Sequence, residues 1–278
     1  MRHEKKIVLF SDLDGTLLDR DTYSFSGAEK ALSRIREHGV PLVLATSKTR
    51  HEVEVYRQRL SNSHPFIIEN GAAAFIPSGY FPHLPSLFTK RGDYLVIELG
   101  LPYADIREML SKMRERTSVP LRGLGDMTPE EVAEISNLDL EEARLSKMRE
   151  YTEPCVLEGE RNEAILARIH DEVRELGLKL TVGEKFLHLS GPHNKGELVR
   201  RLSVLFRTSL KNILTVGLGD GKNDVEMLAE CQIAILLRKK GGLLDEDVMQ
   251  RVPNALPYEA GPAGWNRAVL ELMEGKLT

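Results

Sequence analysis

Ile7-Val8-Leu9-Phe10-Ser11-Asp12-Leu13-Asp14-Gly15-Thr16 is the stretch on which the fold turns. Its first four residues form an unbroken apolar run, the length of a strand buried on both faces. Asp12 and Asp14 leave that run two residues apart, and extended residues two apart share a face. Two carboxylates are thereby crowded together at a strand end, although a polar Asp-Gly turn would have the same composition.

Outward from this strand the chain alternates between apolar runs and helical spacing. A helix is predicted over 28–38, a strand over 41–45, a helix over 50–60 and a strand over 66–68. That rhythm predicts a parallel sheet, and in open α/β sheets ligands gather at the carboxyl ends of the strands. From His83 it loosens, with Pro82, Pro85, Gly92 and Pro102 breaking the chain. Beyond lie a strand-like 94–99, helical stretches at 103–116, 129–135, 140–149 and 163–176, a short run 155–157, and paired strands 178–182 and 185–189. After Asn194 the alternation resumes with helix 196–206, strand 213–216, helix 224–230 and strand 233–236. The expected organisation is an α/β parallel-sheet core of residues 1–84 and 190–278, split by an inserted α+β cap of residues 85–189.

A second acidic loop, Gly217-Leu218-Gly219-Asp220-Gly221-Lys222-Asn223-Asp224, follows the strand at 213–216. Alone it reads as a glycine turn with an acid near a helix start. Two such loops at neighbouring strand ends would bring Asp12, Asp14, Asp220 and Asp224 together, a set of hard oxygen ligands suited to magnesium.

Composition narrows the chemistry further. The chain has 278 residues, 41% apolar and 29% charged, which suffices for a substantial core and argues against disorder. A formal net charge of -4 gives no general attraction for nucleic acid or an anionic membrane, so a phosphate ligand must be held by local cations or metal. No apolar run reaches the roughly 18 residues of a membrane span. The basic start Met1-Arg2-His3-Glu4-Lys5-Lys6 runs into a strand instead of a signal sequence. Cys155 and Cys231 form no CxxC pair and have no nearby His cluster, which argues against a disulfide scaffold or a zinc site and fits a reducing cytoplasm.

The two acidic loops, with the elements between them, resemble the haloacid dehalogenase-like phosphohydrolase superfamily, which has a Rossmann-like core. The resemblance implies Asp12 as nucleophile and magnesium ligand, Asp14 as general acid and base with its carbonyl on the metal, Asp220 as metal ligand and Asp224 as an outer member of that set. It further implies Thr46, or its neighbour Ser47, as the phosphate-binding hydroxyl at the end of Leu42-Val43-Leu44-Ala45. Lys195, in Asn194-Lys195-Gly196-Glu197, matches the lysine that balances the charge of nucleophile and phosphoryl group, and Asn223 a helper near the phosphate.

Narrower strings resemble the mannosyl-3-phosphoglycerate phosphatase family. They are Thr46-Ser47-Lys48-Thr49, Glu69-Asn70-Gly71-Ala72-Ala73, Gly125-Asp126-Met127-Thr128, Arg149-Glu150-Tyr151-Thr152-Glu153-Pro154, Phe186-Leu187-His188-Leu189 and Gly261-Pro262-Ala263-Gly264-Trp265-Asn266. This resemblance implies a small-molecule sugar phosphoglycerate as partner. In the cap, Arg149, Lys185 and His188 are candidates for the anionic end of that substrate, and Glu153 and Thr152 for its hydroxyls. Glu69-Asn70-Gly71 is expected to be a tight turn, and Gly264-Trp265-Asn266 to anchor the terminal helix. Gly221-Lys222 and Glu184-Lys185 depart from the Ser-Pro and Gly-Arg of many relatives. The sugar therefore stays open between mannosyl, glucosyl and a general sugar phosphate, and a phosphoacceptor signalling domain is the alternative from another class.

Overall fold

The computed structural model describes residues 5–82, 88–159, 162–183 and 185–277. The chain begins with β1 (Lys6–Ser11), α1 (Glu29–Glu37), β2 (Leu42–Ala45), α2 (Arg50–Arg59), β3 (Phe66–Ile68), β4 (Ala73–Pro77), β5 (Thr89–Arg91) and β6 (Tyr94–Glu98). It continues through α3 (Tyr103–Thr117), β7 (Leu121–Gly123), α4 (Pro129–Ser136), α5 (Leu140–Ser146), β8 (Thr152–Leu157), α6 (Glu163–Glu175), β9 (Lys179–Val182) and β10 (Leu187–Ser190). It closes with α7 (Lys195–Leu210), β11 (Ile213–Gly219), α8 (Val225–Glu230), β12 (Ile233–Leu237), α9 (Glu246–Arg251), β13 (Leu256–Tyr258) and α10 (Gly261–Met273).

These elements form two compact units. The first comprises Met1–Thr46, Arg57–Ile97 and Asn194–Thr278. Its nine-stranded sheet has the order β13-β12-β11-β1-β2-β3-β4-β6-β5. Pairing is parallel from β13 through β3 and turns antiparallel at β3–β4. Because β2 and β11 flank β1 on opposite sides, the strand order reverses at β1, and the crevice outside its carboxyl end is where such sheets bind ligands. Val8, Leu9 and Phe10 have no exposed surface, as a strand covered on both faces requires. Helix α7 presents Leu198, Val199, Leu202, Leu205 and Phe206 to the same core, the i, i+4, i+7 stripe of an amphipathic helix.

The second unit comprises Ser47–Tyr56 and Glu98–His193. It has an antiparallel sheet of order β7-β8-β10-β9. Ile106, Leu110 and Met113 of α3 and Ile169 and Val173 of α6 pack on Cys155, Leu187 and Leu189 of this sheet. Helix α4 starts with Pro129 behind a capping box in which Thr128 and Glu131 satisfy each other's backbone N–H. Helix α5 repeats the device with Asp139 and Glu142.

The expected boundary between residues 84 and 85 lies outside the described residues. Beyond it, however, β5 and β6 extend the first unit's sheet, so the Pro and Gly breaks do not mark where the chain leaves that sheet. Tyr94 shows why β6 stays, since its ring meets Phe66 of β3 and Phe75 of β4 edge-on at 5.5 and 5.7 Å. β7 and β13 have three residues each, too few for an alternation to register, and were not foreseen. Glu184, half of the Glu184-Lys185 departure, also lies outside the described residues.

Candidate active site

The site is built on the carboxyl ends of β1 and β11. Asp12 follows β1 directly and its N–H donates to Leu218 O of β11 at 2.9 Å, which joins the two acidic loops at their roots. Asp220 follows β11. Asp12, Asp220 and Asp224 are all buried, and one carboxylate oxygen from each lies within 4.8 Å of the others. Asp14 sits in the turn that Gly15 closes at φ +79°, with Gly15 N donating to Leu18 O at 2.9 Å, and its charge bears on Asp12. An added Cβ at Gly15 would lie 2.6 Å from Asp220 Oδ2, so only glycine lets the two loops approach this closely.

Lys195 is the first residue of α7, where the helix dipole disfavours a cation. Carboxylates hold it there. Its Nζ donates to Asp12 Oδ1 and Asp224 Oδ1, both at 2.6 Å, and its side chain has no exposed surface. Burial alone would lower its pKa, but the two carboxylates outweigh that and hold it above the ordinary lysine value. The second oxygen of Asp224 accepts the N–H groups of Asp220 and Gly221 at 3.1 and 3.2 Å. This acid therefore both neutralises the lysine and ties down its own loop. Gly219 makes room, since a Cβ there would meet Asp224 Cβ at 2.6 Å.

Four carboxyl groups bear on one another here against two cations, Lys195 and Arg20. Burial raises the Asp12 pKa well above the usual carboxylate range, and Asp224, Asp220 and Asp14 raise it further against the pull of Lys195. Burial and Asp224 push Asp220 up to about 6, although Arg20 and Lys195 oppose them. A cluster of hard oxygen donors with this deficit of positive charge fits a divalent cation. Among the described residues, Asp12, Asp220 and Asp224 are the acids grouped closely enough to hold one.

Sequence reasoning missed Arg20, which has no motif around it. Its Nη2 donates to Asp220 Oδ2 at 2.5 Å, with 44% of its side chain exposed. It also missed the support beneath Asp12: Trp265 Nε1 donates to Ser11 Oγ at 3.0 Å, and Ser11 Oγ donates to Asp12 O at 2.7 Å. The expected anchoring of the terminal helix also holds. Asn266 Oδ1 accepts the N–H of Ala31 in α1, and at Gly264 a Cβ would sit 1.8 Å from Glu259 O.

Thr46 ends β2 fully buried, its N–H on Ile67 O at 3.0 Å. Ser47 falls in the other unit, where its carbonyl accepts Arg149 Nη1 at 2.8 Å. Asn223 Nδ2 donates to Asn70 Oδ1 at 3.3 Å.

The second unit gathers a polar cluster of its own. Glu153 has no exposed surface, and its Oε1 accepts Gly125 N at 2.9 Å and Arg107 Nη1 at 3.1 Å. The other oxygen, Oε2, is buried without a well-directed hydrogen bond, and the nearby Tyr103 hydroxyl is pushed above its ordinary pKa by burial first and by this carboxylate second. Cβ atoms at Gly123 and Gly125 would strike Glu153 Oε1 at 2.0 Å and the Tyr103 hydroxyl at 2.6 Å, which explains part of the Gly125-Asp126-Met127-Thr128 string. Asp126 in that string is structural: it accepts Arg107, Arg114 and the N–H of Gly123. Arg149 is pinned by the carbonyls of Ser146 and Ser47. Burial and then Arg149 lower the His188 pKa to about 4. Thr152 is buried on β8, and Lys185 is exposed with Nζ 3.4 Å from Ser136 O.

Acids just past the ends of β1 and β11 surround a buried lysine at the switch point of a parallel sheet, and the profile of the haloacid dehalogenase-like hydrolase family matches residues 9–80. The fold agrees with solved structures at low identity. BT1666 of Bacteroides thetaiotaomicron, a phosphatase of the haloalkanoate superfamily, superposes with a TM-score of 0.66 at 18% identity over 98% of this chain and 97% of that one. The sugar phosphatase BT4131 does so with a TM-score of 0.64 at 18% identity, covering 97% and 99%. Sequence relatives are much nearer. A glucosyl-3-phosphoglycerate/mannosyl-3-phosphoglycerate phosphatase of Methanococcoides burtonii is 39% identical over 96% of this chain and 97% of its own. One of the same name from Persephonella marina is 38% identical with the same coverage. A mannosyl-3-phosphoglycerate phosphatase of Pyrococcus furiosus is 34% identical over 83% and 90%. The chain belongs to the mannosyl-3-phosphoglycerate phosphatase family of haloacid dehalogenase-like hydrolases.

Proposed function

We propose that this chain is a magnesium-dependent phosphatase that hydrolyses mannosyl-3-phosphoglycerate to mannosylglycerate and phosphate. The observation that carries the chemistry is the single lysine shared at 2.6 Å between buried Asp12 and Asp224, with Asp220 beside them. A carboxylate attacking a phosphate ester meets like-charge repulsion, and this arrangement supplies positive charge where that repulsion develops. When bound, magnesium adds charge neutralisation on the nucleophile and the phosphoryl oxygens.

The residues then divide the work. A carboxylate oxygen of Asp12 attacks phosphorus as the bond to the glycerate oxygen breaks, and Asp14 gives its proton to that leaving oxygen. The aspartyl phosphate is hydrolysed by a water whose proton passes to Asp14, which frees Asp12 and inorganic phosphate. Thr46 or Ser47, Lys195 and Asn223 bind the phosphoryl oxygens. In the inserted unit, read as the cap, Arg149, Lys185 and His188 are the candidates for the anionic end of the substrate, and Glu153 and Thr152 for its hydroxyls. The cytoplasm is the expected compartment. Its support is that both cysteines are free and that, among the described residues, no helix is long and apolar enough to cross a membrane.

A second reading widens the substrate to the glucosyl ester, favoured because the relatives at 39% and 38% identity carry both sugars in their names. Phosphate release from the two esters, with and without magnesium, tests both readings. Release that persists in chelator would sink the metal dependence. A single stoichiometric phosphorylation without turnover would favour a signalling domain.

Asp14→Asn is expected to lower kcat roughly 10²–10⁴-fold, the usual range for a general acid and base. With p-nitrophenyl phosphate, whose leaving group needs no proton, the variant should release a burst of nitrophenol equal to the enzyme and then stall. Parent-like turnover of the sugar ester would remove Asp14 from its role. Arg20→Gln should tighten magnesium binding roughly 5- to 10-fold by calorimetric titration, because a competing cation leaves Asp220. Unchanged or weaker binding would mean that Arg20 does not compete with the metal.

A further inference from the structure

Glu69-Asn70-Gly71, foreseen only as a tight turn, is a run of three residues with φ of +45°, +59° and +96°. Two of them carry side chains, and Glu69 is fully buried, a conformation that persists only when its surroundings hold it. The turn touches three separate parts of the site. Asn70 N donates to the carbonyl of Thr46 at 2.9 Å. Asn70 Oδ1 accepts from Asn223 Nδ2 at 3.3 Å. Gly71 lies against the peptide that starts α7, so that an added Cβ would be 2.2 Å from Asn194 O and 2.5 Å from Lys195 N.

We infer that this turn positions the phosphate-binding groups, with Asn70 acting through Asn223 and Gly71 through the start of the Lys195 helix. An amide side chain can present either a donor or an acceptor. With Asn70 Oδ1 accepting, the donor end of Asn223 is turned toward it and its second N–H is left for a phosphoryl oxygen. The close contact at Gly71 fixes where α7 begins, and with it where the lysine stem leaves the backbone. The inference rests on the phosphate-binding reading of Asn223 and Lys195.

The test is a double-mutant cycle on the full chain, with phosphate release from the 3-phosphoglycerate ester as readout. Glycine tolerates the φ of residue 70, so Asn70→Gly should melt near the parent while kcat falls roughly 3- to 10-fold, the worth of one oriented hydrogen bond. Asn223→Ala should fall further. The double variant should match Asn223→Ala alone, because Asn70 has nothing left to orient. Gly71→Ala should lose more than Asn70→Gly, since α7 must shift.

Parent-like kcat in Asn70→Gly, a double variant whose loss is the product of the two single losses, or parent-like kcat in Gly71→Ala would each overturn the inference. Parent-like kinetics in Asn223→Ala would instead sink the phosphate-binding role on which it rests.

Discussion

Asp12→Asn is expected to lose turnover of the sugar ester and to take up no phosphoryl group. The substitution is nearly isosteric at a residue 4% exposed, and the remaining side-chain oxygen can still accept from Lys195, which sits 2.6 Å away. What disappears is the carboxylate oxygen proposed to attack phosphorus. A turnover loss of at least about 10⁴-fold is expected, on the scale of removing other enzymic nucleophiles. Stability should change little, because the burial cost that raises the Asp12 pKa is relieved while Lys195 keeps Asp224 as a charged partner. Rapid acid quench with radiolabelled ester and a melting curve test both halves. Residual turnover within a hundredfold of the parent would show that another group makes the attack.

Lys195→Met fills nearly the same volume and removes the charge. Asp12 and Asp224 are left buried and facing each other without the cation that both contact. Stranding a buried partner costs about 3–5 kcal/mol, and losing a preorganised charge at the transition state costs on the order of 10³ in kcat. The deficit in stability should shrink as pH falls, since protonating either carboxylate removes a stranded charge. Denaturant unfolding at two pH values, read beside phosphate release, separates the effects. A variant that melts early and still hydrolyses the ester would make the lysine a structural clamp only.

How much of this could be read in the residues depends on how local the signal was. The apolar run before Asp12 and the glycine-rich loop before Asp224 each announce a strand end within ten residues, so the acid cluster was legible. Lys195 was legible only through resemblance. A lysine at a helix start is common, and its pinning by two acids is visible only in three dimensions. Arg20 and the Ser11–Trp265 contact had no signal, because each joins residues about 200 or more positions apart. The Pro and Gly breaks after His83 suggested that the chain had left the sheet, yet aromatic packing around Tyr94 keeps β6 in it. Loop punctuation reports local flexibility and says little about which sheet a later strand joins. In the inserted unit, Glu153 was chosen from a string, whereas Arg107 and Tyr103, which shape its surroundings, looked like ordinary residues of an amphipathic helix.

Trp265 is the only tryptophan of the chain, and its indole N–H ends two hydrogen bonds away from the backbone of Asp12. Its emission therefore reports on one place, with no second fluorophore of the kind to average over. A change in the hydroxyl beneath Asp12 alters the dipole that the indole feels, so loading with ion or ester can be followed by light alone, on enzyme that carries no label and before any product has formed.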